Sequence, residues 1–359
     1  MDRPDPDKLK QFSFLLFSKL EGAVTSGMVH LGDKLGLYQV LAETDAPVSS
    51  TELAKKTGLN ERWIREWLHN QGAAKLLVHH DDGGDGRFSL SPEGNAVLAD
   101  PNSPTNGIGM FGRLPDTMQM LEQLPDSFRT GLGHDYDSHG STGAAGIERS
   151  FGPWYQNFLL PVGLPALDGV VDKLEAGALA ADVGCGAGMA LLMMADRFPN
   201  SRFHGYDISR HALERGRMKQ ATRGLENAAF HDPRVSPLPD DHSLDLVTTF
   251  DCIHDMTRPD LMIDAIYRSL KPDGTWLLVD IKAKDTYTEN LRNPMAALMY
   301  GISIMSCMNS ALSEPDGLGL GTLGLPERRA REMAAVAGFT RFTRLDIDHA
   351  LNAFFEVRP

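Results

Sequence analysis

The stretch Ala180-Ala-Asp-Val-Gly-Cys-Gly-Ala-Gly-Met-Ala-Leu-Leu-Met-Met-Ala195, followed closely by Ser201-Arg-Phe-His-Gly-Tyr-Asp207, decides how the chain is read. Leu179 to Val183 is a short apolar run of the length of a buried strand. Gly184, Gly186 and Gly188 permit a close backbone turn, and Met189 to Phe198 has helical periodicity until Pro199 stops it. A second strand ends in Asp207, about 20 residues after the first glycine, where a carboxylate can accept both hydroxyls of a ribose.

A glycine turn with a distal carboxylate serves two kinds of nucleotide-using site. A dinucleotide fingerprint spaces its glycines G-x-G-x-x-G and sets a pyrophosphate on the helix N-terminus. Here the spacing is G-x-G-x-G, and Met189 stands where the third glycine would be. Asp182, two residues before the first glycine, puts a carboxylate beside the ligand, which suits an ammonium or sulfonium and repels a pyrophosphate. The ligand implied is a positively charged nucleoside; a glycine-rich turn with no ligand is the bland alternative.

The pattern D-x-G-x-G-x-G followed by Asp207 resembles the first two motifs of class I S-adenosylmethionine-dependent methyltransferases. The resemblance implies S-adenosylmethionine as cofactor and S-adenosylhomocysteine as product, bound by Asp182, Gly184, Gly186, Gly188, Asp207, Ile208, Asp232 and Phe250. Asp232, ending a third strand Ala228 to Asp232, falls where the family meets the adenine amino group, although the chain is one residue longer between Asp232 and Asp245 than the commonest pattern.

A chain of 359 residues predicts two domains, and 42% apolar with 23% charged residues is ordinary for a globular protein. No apolar run approaches the roughly 18 residues of a membrane span, and Met1 to Lys10 is polar, so no membrane association and a cytoplasmic location are expected. Cys185, Cys252 and Cys307 have no C-x-x-C spacing, which points to reduced thiols and no metal site. A net charge of -13 argues against nucleic acid or anionic membrane as partner.

Towards the N-terminus, Gln11 to Leu41 carries apolar residues at helical spacing and reads as two packing helices. Val48-Ser-Ser-Thr-Glu-Leu-Ala-Lys-Lys-Thr-Gly58 is a capped short helix with a glycine stop, and Asn60 opens a second helix reaching Gly72. Strands at Lys75 to Val78 and Arg87 to Leu90, joined by a loop 79–86, complete a winged helix. Such a domain raises the distant alternative of a DNA-binding regulator. The reading helix, however, sets two arginines against two glutamates, and the wing carries Asp81, Asp82 and Asp85. A dimerisation and lid module, making a homodimer, is the expected role, with His79 and His80 as plain loop residues.

Strands at Leu244 to Phe250 and Gly274 to Ile281, with Lys271 to Gly274 as a turn, and a final hairpin of Phe339 to Leu345 with Ala353 to Val357 complete the pattern. The fold class expected is α/β, a doubly wound, mostly parallel, seven-stranded Rossmann-like methyltransferase sheet after an all-helical, winged-helix N-terminal domain. Three segments follow: the winged-helix domain over 1–100, a helical linker contributing to the pocket over 101–168, and the cofactor domain over 169–359 with a methionine-rich cap helix at 294–312. Gly109 to Phe128 reads as a helix, and 130–146 has no clear period. Tyr136, Trp154, Tyr155, Met299 and Met308 are expected to line a substrate pocket, although interdomain packing explains the aromatic cluster equally well.

Methyl transfer from a sulfonium is an in-line displacement that needs positioning and, for a protonated nucleophile, a base. His254, in Phe250-Asp-Cys-Ile-His-Asp-Met256 at the rim of the fourth strand, has the right chemistry. Ile253-His-Asp-Met256 resembles the histidine-aspartate-tryptophan motif of the winged-helix-fused O-methyltransferases of plant and bacterial secondary metabolism, and the domain order matches over nearly the whole chain. The resemblance implies that His254 deprotonates a small-molecule hydroxyl and that Asp280 is one acidic partner. Met256 replaces the tryptophan, and the second acidic partner falls near Gly324, with Glu327 as the substitute. S-methylation of a small thiol or thioether, and a purely structural His254 capping the next helix, remain open alternatives.

Overall fold

The computed structural model describes residues 3–359 and divides into two compact units, Met1–Pro115 and Asp116–Pro359. The segment 101–168 is thus split between the two units. Among the described residues no helix is long and apolar enough to cross a membrane.

In the first unit, the helix Pro6–Lys34 starts on Asp5, whose carboxylate accepts from Asp7 N and Lys8 N at 2.9 and 3.1 Å, with Pro6 at the position where its missing N–H costs nothing. Its first half presents Phe12, Phe14 and Phe17 to solvent at 68%, 71% and 65% exposure, with Leu9, Leu15, Leu16 and Leu20 also exposed. A second helix, Leu37–Ala42, buries Tyr38 against Trp67, and Tyr38 Oη donates to Gln71 Oε1.

The helix-turn-helix is as expected. Ser49 and Glu52 form a reciprocal capping box at the start of Ser50–Thr57, Gly58 ends it at φ 72°, and Asn60 caps Glu61–Ala73. Strands β1 (Val78–His80) and β2 (Arg87–Ser89) pair antiparallel, Val78 opposite Ser89. The first strand therefore starts at Val78, later than expected, because Lys75 is held at φ 61° in the turn that leaves the helix. His79 and His80 belong to the strand; His79 packs on Phe88 and His80 bonds Ser89 Oγ at 2.9 Å.

In the second unit, β3 (Leu179–Val183), β4 (Arg202–Tyr206), β5 (Ala228–His231), β6 (Leu244–Phe250), β7 (Leu270–Ile281), β8 (Arg341–Arg344) and β9 (Asn352–Arg358) form one sheet in the order β5-β4-β3-β6-β7-β9-β8. The first five strands are parallel, and β9 runs antiparallel between β7 and β8. Both faces are covered by apolar side chains, with Leu191, Phe203 and Phe354 in one core cluster and Val247, Ile266 and Trp276 in the other. Near-continuous apolar strands are what a doubly covered parallel sheet requires. Lys271–Gly274 is not a free turn: β7 begins at Leu270, and the register slips between the pairs Leu244–Leu270 and Leu246–Thr275, so these residues form a bulge.

The region 109–130 is broken into short helices, Gly109–Gly112, Leu114–Gln119 and Leu124–Thr130, the last with Pro125 in its first turn. The aperiodic stretch after it contains the helix Gly140–Trp154, which continues as a π-helix, Tyr155–Gly163. Glu148 of the former pairs with Arg215 and Lys219 of the helix Arg210–Arg223. The cap is one helical run, Ala296–Ile302, Ser303–Cys307 in π form, and Met308–Ala311.

Candidate active site

The switch point of the sheet, where β3 lies between β4 and β6, is the place at which open parallel sheets bind ligands. There Gly184, Gly186 and Gly188 take φ 70°, 54° and 72°, a backbone that side-chain-bearing residues adopt at a cost. A Cβ at Gly184 would lie 2.6 Å from Cys252 Sγ, and one at Gly188 would lie 2.3 Å from the Phe230 ring, whereas one at Gly186 would meet nothing within 4 Å. Two glycines are thus needed for packing and the middle one leaves open space over the turn.

Asp207 organises this turn. Its Oδ2 accepts from Gly186 N at 2.7 Å and its Oδ1 from Ser209 N at 2.8 Å. Burial nevertheless raises its pKa against the lowering effect of those two bonds. A cleft beside it is lined by Tyr136, Ala144, Ile147, Gly186, Ala187 and Ser209. Tyr136, expected in a substrate pocket, lies on this glycine-turn side. Ile208 is exposed next to Asp207, and its carbonyl accepts from Arg234 at 2.7 Å. Asp232 is gripped by the same guanidinium, at 2.9 and 2.8 Å, which holds its carboxyl below the usual range. Any base amino group must share that carboxylate with Arg234.

Asp182, next to last in β3, is buried inside the sheet and accepts from Thr248 Oγ1 at 2.8 Å. Burial pushes its pKa up to about 7, with a smaller contribution from Asp207. Among the described residues no arginine or lysine offsets it, so once ionised it faces the turn with uncompensated negative charge, the complement of a sulfonium. Phe250, at the end of β6, is buried under the edges of Trp154 and Tyr155, with ring centroids 5.4 and 5.3 Å away. Burial, with Asp182 and Asp251 next, drives the Tyr155 phenol well above its ordinary range. Trp154 stacks on Phe354 and leaves Nε1 buried without a hydrogen-bond partner. Trp154 and Tyr155 therefore sit at the carboxyl end of β6, against Phe250.

His254 lies on the short turn Ile253–Asp255 after β6, and its carbonyl accepts from Gly321 N at 3.0 Å. The ring is buried, and Nδ1 meets Asp280 Oδ1 at 2.6 Å. Asp280, on β7 opposite Ala353 of β9, also accepts from Ile281 N and keeps Oδ2 buried and unpartnered. Burial opposes a charged imidazole, but Asp280 and then Cys307 outweigh it and hold the His254 pKa well above the ordinary value. The expected acidic partner near Gly324 has no counterpart, since Glu327 bonds Arg331 and Arg344 at the surface. The other carboxylates beside His254 are Asp251 and Asp255, each pushed up to about 7 by burial first and then by Asp280. Asp251 has φ 50°, and Asn352 of β9 donates to its carboxylate. Both flank His254 within the quoted motif, the one signal that could have found them; Thr248, Asn352 and Cys307 carry no such signal.

The cap docks on this loop: Ser310 Oγ donates to Asp255 O at 2.9 Å, and Met308 packs on Gly321. Met299 is buried one arm of the helix away, its sulfur 3.5 Å from Asn293 Nδ2. Among the described residues no group of three or more side chains is arranged to hold a metal. The arrangement sets a glycine turn with a buried carboxylate near a histidine polarised by a second carboxylate.

Residues 174–350 match the family model of a methyltransferase domain, and residues 23–100 match that of an Rv2258c-like winged helix-turn-helix domain. The chain is similar to a polyketide synthase, ThaQ, of Burkholderia thailandensis, with 34% identity over 105 residues, 28% of this chain and 5% of that protein. It is similar to a ubiquinone biosynthesis O-methyltransferase of Neisseria meningitidis, with 31% identity over 117 residues, 32% of this chain and 48% of the relative. The chain thus spans half or less of these curated relatives. In fold it resembles human N-acetylserotonin methyltransferase in complex with SAM, with TM-score 0.71, 20% identity and 97% of each chain covered. The chain thus carries a methyltransferase domain joined to an N-terminal winged helix-turn-helix domain, in a fold shared with S-adenosylmethionine-dependent methyltransferase structures.

Proposed function

We propose that the protein transfers a methyl group from S-adenosylmethionine to the hydroxyl of a small molecule, with His254 as general base. The observation that carries this reading is the buried His254–Asp280 pair. With Nδ1 committed to Asp280, Nε2 is the nitrogen left to accept a proton from an acceptor. The cofactor supplies the electrophilic methyl carbon. Asp207 and the glycine turn hold the nucleoside, Asp182 balances the sulfonium charge, and Asp280 stabilises the imidazolium that forms. The comparison with a SAM-bound fold neighbour and the O-methyltransferase relative supports this reading. Incubation with labelled S-adenosylmethionine and candidate phenols and thiols tests it. Label on a hydroxyl that depends on His254 is the expected result; label on sulfur that is indifferent to His254→Ala assigns the alternative.

The first unit acts as a dimerisation module in this proposal. Phe12, Phe14, Phe17 and their neighbours form an apolar surface on one long helix, and the partner that fits it is a second copy of that helix. Duplex DNA is a poor partner, because Arg62 and Arg65 of the reading helix are paired with Glu66 and Glu61, and Asp85 of the wing with Arg65.

A further inference from the structure

Strands β4 and β5 lie side by side, and each is followed at once by an aspartate. Asp207 N donates to His231 O at 3.1 Å, so the two chains leave the sheet together. After β5 the sequence Asp232-Pro-Arg-Val235 makes a turn, with Val235 N donating to Asp232 O at 3.0 Å and proline at the position whose φ it presets. The turn brings the Arg234 side chain back over Asp232. Arg234 N and Nε both donate to Asp232 Oδ1, at 3.0 and 2.9 Å, and Nη2 donates to Oδ2 at 2.8 Å. Nη2 also donates to Ile208 O at 2.7 Å, on the segment that leaves β4. One guanidinium thus clamps two neighbouring strand ends.

A carboxylate oxygen offers two lone-pair sites. Oδ1 of Asp232 spends both within the turn and Oδ2 spends one on Nη2, so a single acceptor site is left, on Oδ2. Both Nη2 hydrogens are used, and Nη1 lies on the side of the planar guanidinium away from the carboxylate, so no donor of Arg234 stands beside that acceptor. We propose that Arg234 is a positioning residue for the base of the cofactor: it occupies every acceptor site of Asp232 but one, aims that one at an exocyclic amino group, and so makes the site select a 6-aminopurine nucleoside over its 6-oxo counterpart. The inference rests on the reading that Asp232 meets the base. An amino group donates to the remaining site, whereas an oxo group sets a second acceptor against it and leaves both unpaired, which is the mismatch that discriminates most. The hydrogen bonds from Arg234 also hold the carboxyl below the usual range, so Oδ2 stays an acceptor at neutral pH and has no proton to offer an oxo group. Ile208 and Val235, 40% and 84% exposed, stand on the two clamped segments and give the same rim an apolar surface for a base.

Calorimetry of the full chain with S-adenosylhomocysteine and with S-inosylhomocysteine measures the selection. Wild type should favour the amino ligand by about 100-fold or more. Arg234→Met removes the clamp, and Arg234→Lys keeps the charge without the planar fork. Each variant, first checked for folding by circular dichroism, should shrink the gap between the two ligands by about tenfold or more, because the Asp232 carboxylate is then free to turn. A loss of stability alone would weaken both ligands together and leave their ratio as it was. Asp232→Asn, whose amide both donates and accepts, should close the gap. A gap unchanged in either Arg234 variant, beside a closed gap in Asp232→Asn, overturns the role of Arg234 and keeps Asp232 at the base. A gap unchanged in Asp232→Asn, or no gap in wild type, overturns the reading of Asp232 itself and the inference with it.

Discussion

Nδ1 of His254 lies 2.6 Å from Oδ1 of Asp280, and both side chains are buried between the end of β6 and the end of β7. A buried carboxylate at this distance selects the tautomer that leaves Nε2 outward. His254→Ala should lower turnover by about 100-fold or more with S-adenosylhomocysteine affinity nearly unchanged, because a positioned base contributes about that much. Asp280→Asn should follow it. Steady-state kinetics beside calorimetry checks both; an active Asp280→Asn with an inactive His254→Ala would dissolve the partnership.

The raised pKa of His254 gives the pair a pH signature. Its stabilisation is complete below the ordinary histidine value of about 6.5 and is lost as pH rises through the raised folded value. The melting-temperature gap between wild type and Asp280→Asn should therefore be widest in acid and narrow upward. Turnover should climb over the same upper range, since only the neutral ring accepts a proton. A gap that widens with pH would contradict the ion pair.

Asp182, pushed up to about 7 by burial, is partly protonated in the empty site at neutral pH. A sulfonium beside it favours the carboxylate, so cofactor binding should release protons and tighten between about pH 6 and 8. Calorimetry in two buffers of different ionisation enthalpy measures the release. Asp182→Asn should abolish it, and a release that persists in that variant would place its origin elsewhere.

The glycines of the turn should separate stability from binding. Gly188→Ala drives a Cβ to 2.3 Å from Phe230 at φ 72°. It should cost about 2 kcal/mol or more of stability. Gly186→Ala meets no atom within 4 Å but projects over the nucleotide cleft. Thermal melts should change little there, by about 1 kcal/mol, while S-adenosylhomocysteine affinity falls about tenfold or more. Equal effects of the two changes on both readouts would remove the distinction.

Phe12→Asp with Phe17→Asp should convert the proposed homodimer to a monomer without unfolding the winged-helix core, whose residues Leu53, Trp67 and Leu68 lie elsewhere. Sedimentation velocity of wild type and variant decides. A monomeric wild type would refute the dimer, and an unchanged dimer in the variant would move its interface off this helix.

Much of this molecule is written locally in its sequence. The strand Leu179–Val183, the three positive-φ glycines, the Ser49 capping box and the Gly58 stop each depend on residues within a few positions of one another, so period, caps and turn chemistry expose them. The parallel, doubly wound class of the sheet followed too, because strands alternating with helices and connected right-handedly leave few topologies. His254 was legible because its motif lies in one short run.

The tertiary structure alone decided what each side chain does there. Register across β6, β7 and β9 brings Asp251, Asp280 and Asn352 to one place, although they come from distant parts of the chain. Docking of the cap helix brings Ser310 to the Asp255 carbonyl, and Glu327, expected near the histidine, goes instead to surface arginines. Asp232 shares its carboxylate with Arg234, and Trp154 and Tyr155 fold onto Phe250. Such placements are fixed by packing and by the desolvation of charges, which depend on every neighbour in space, and a one-dimensional pattern records only neighbours along the chain.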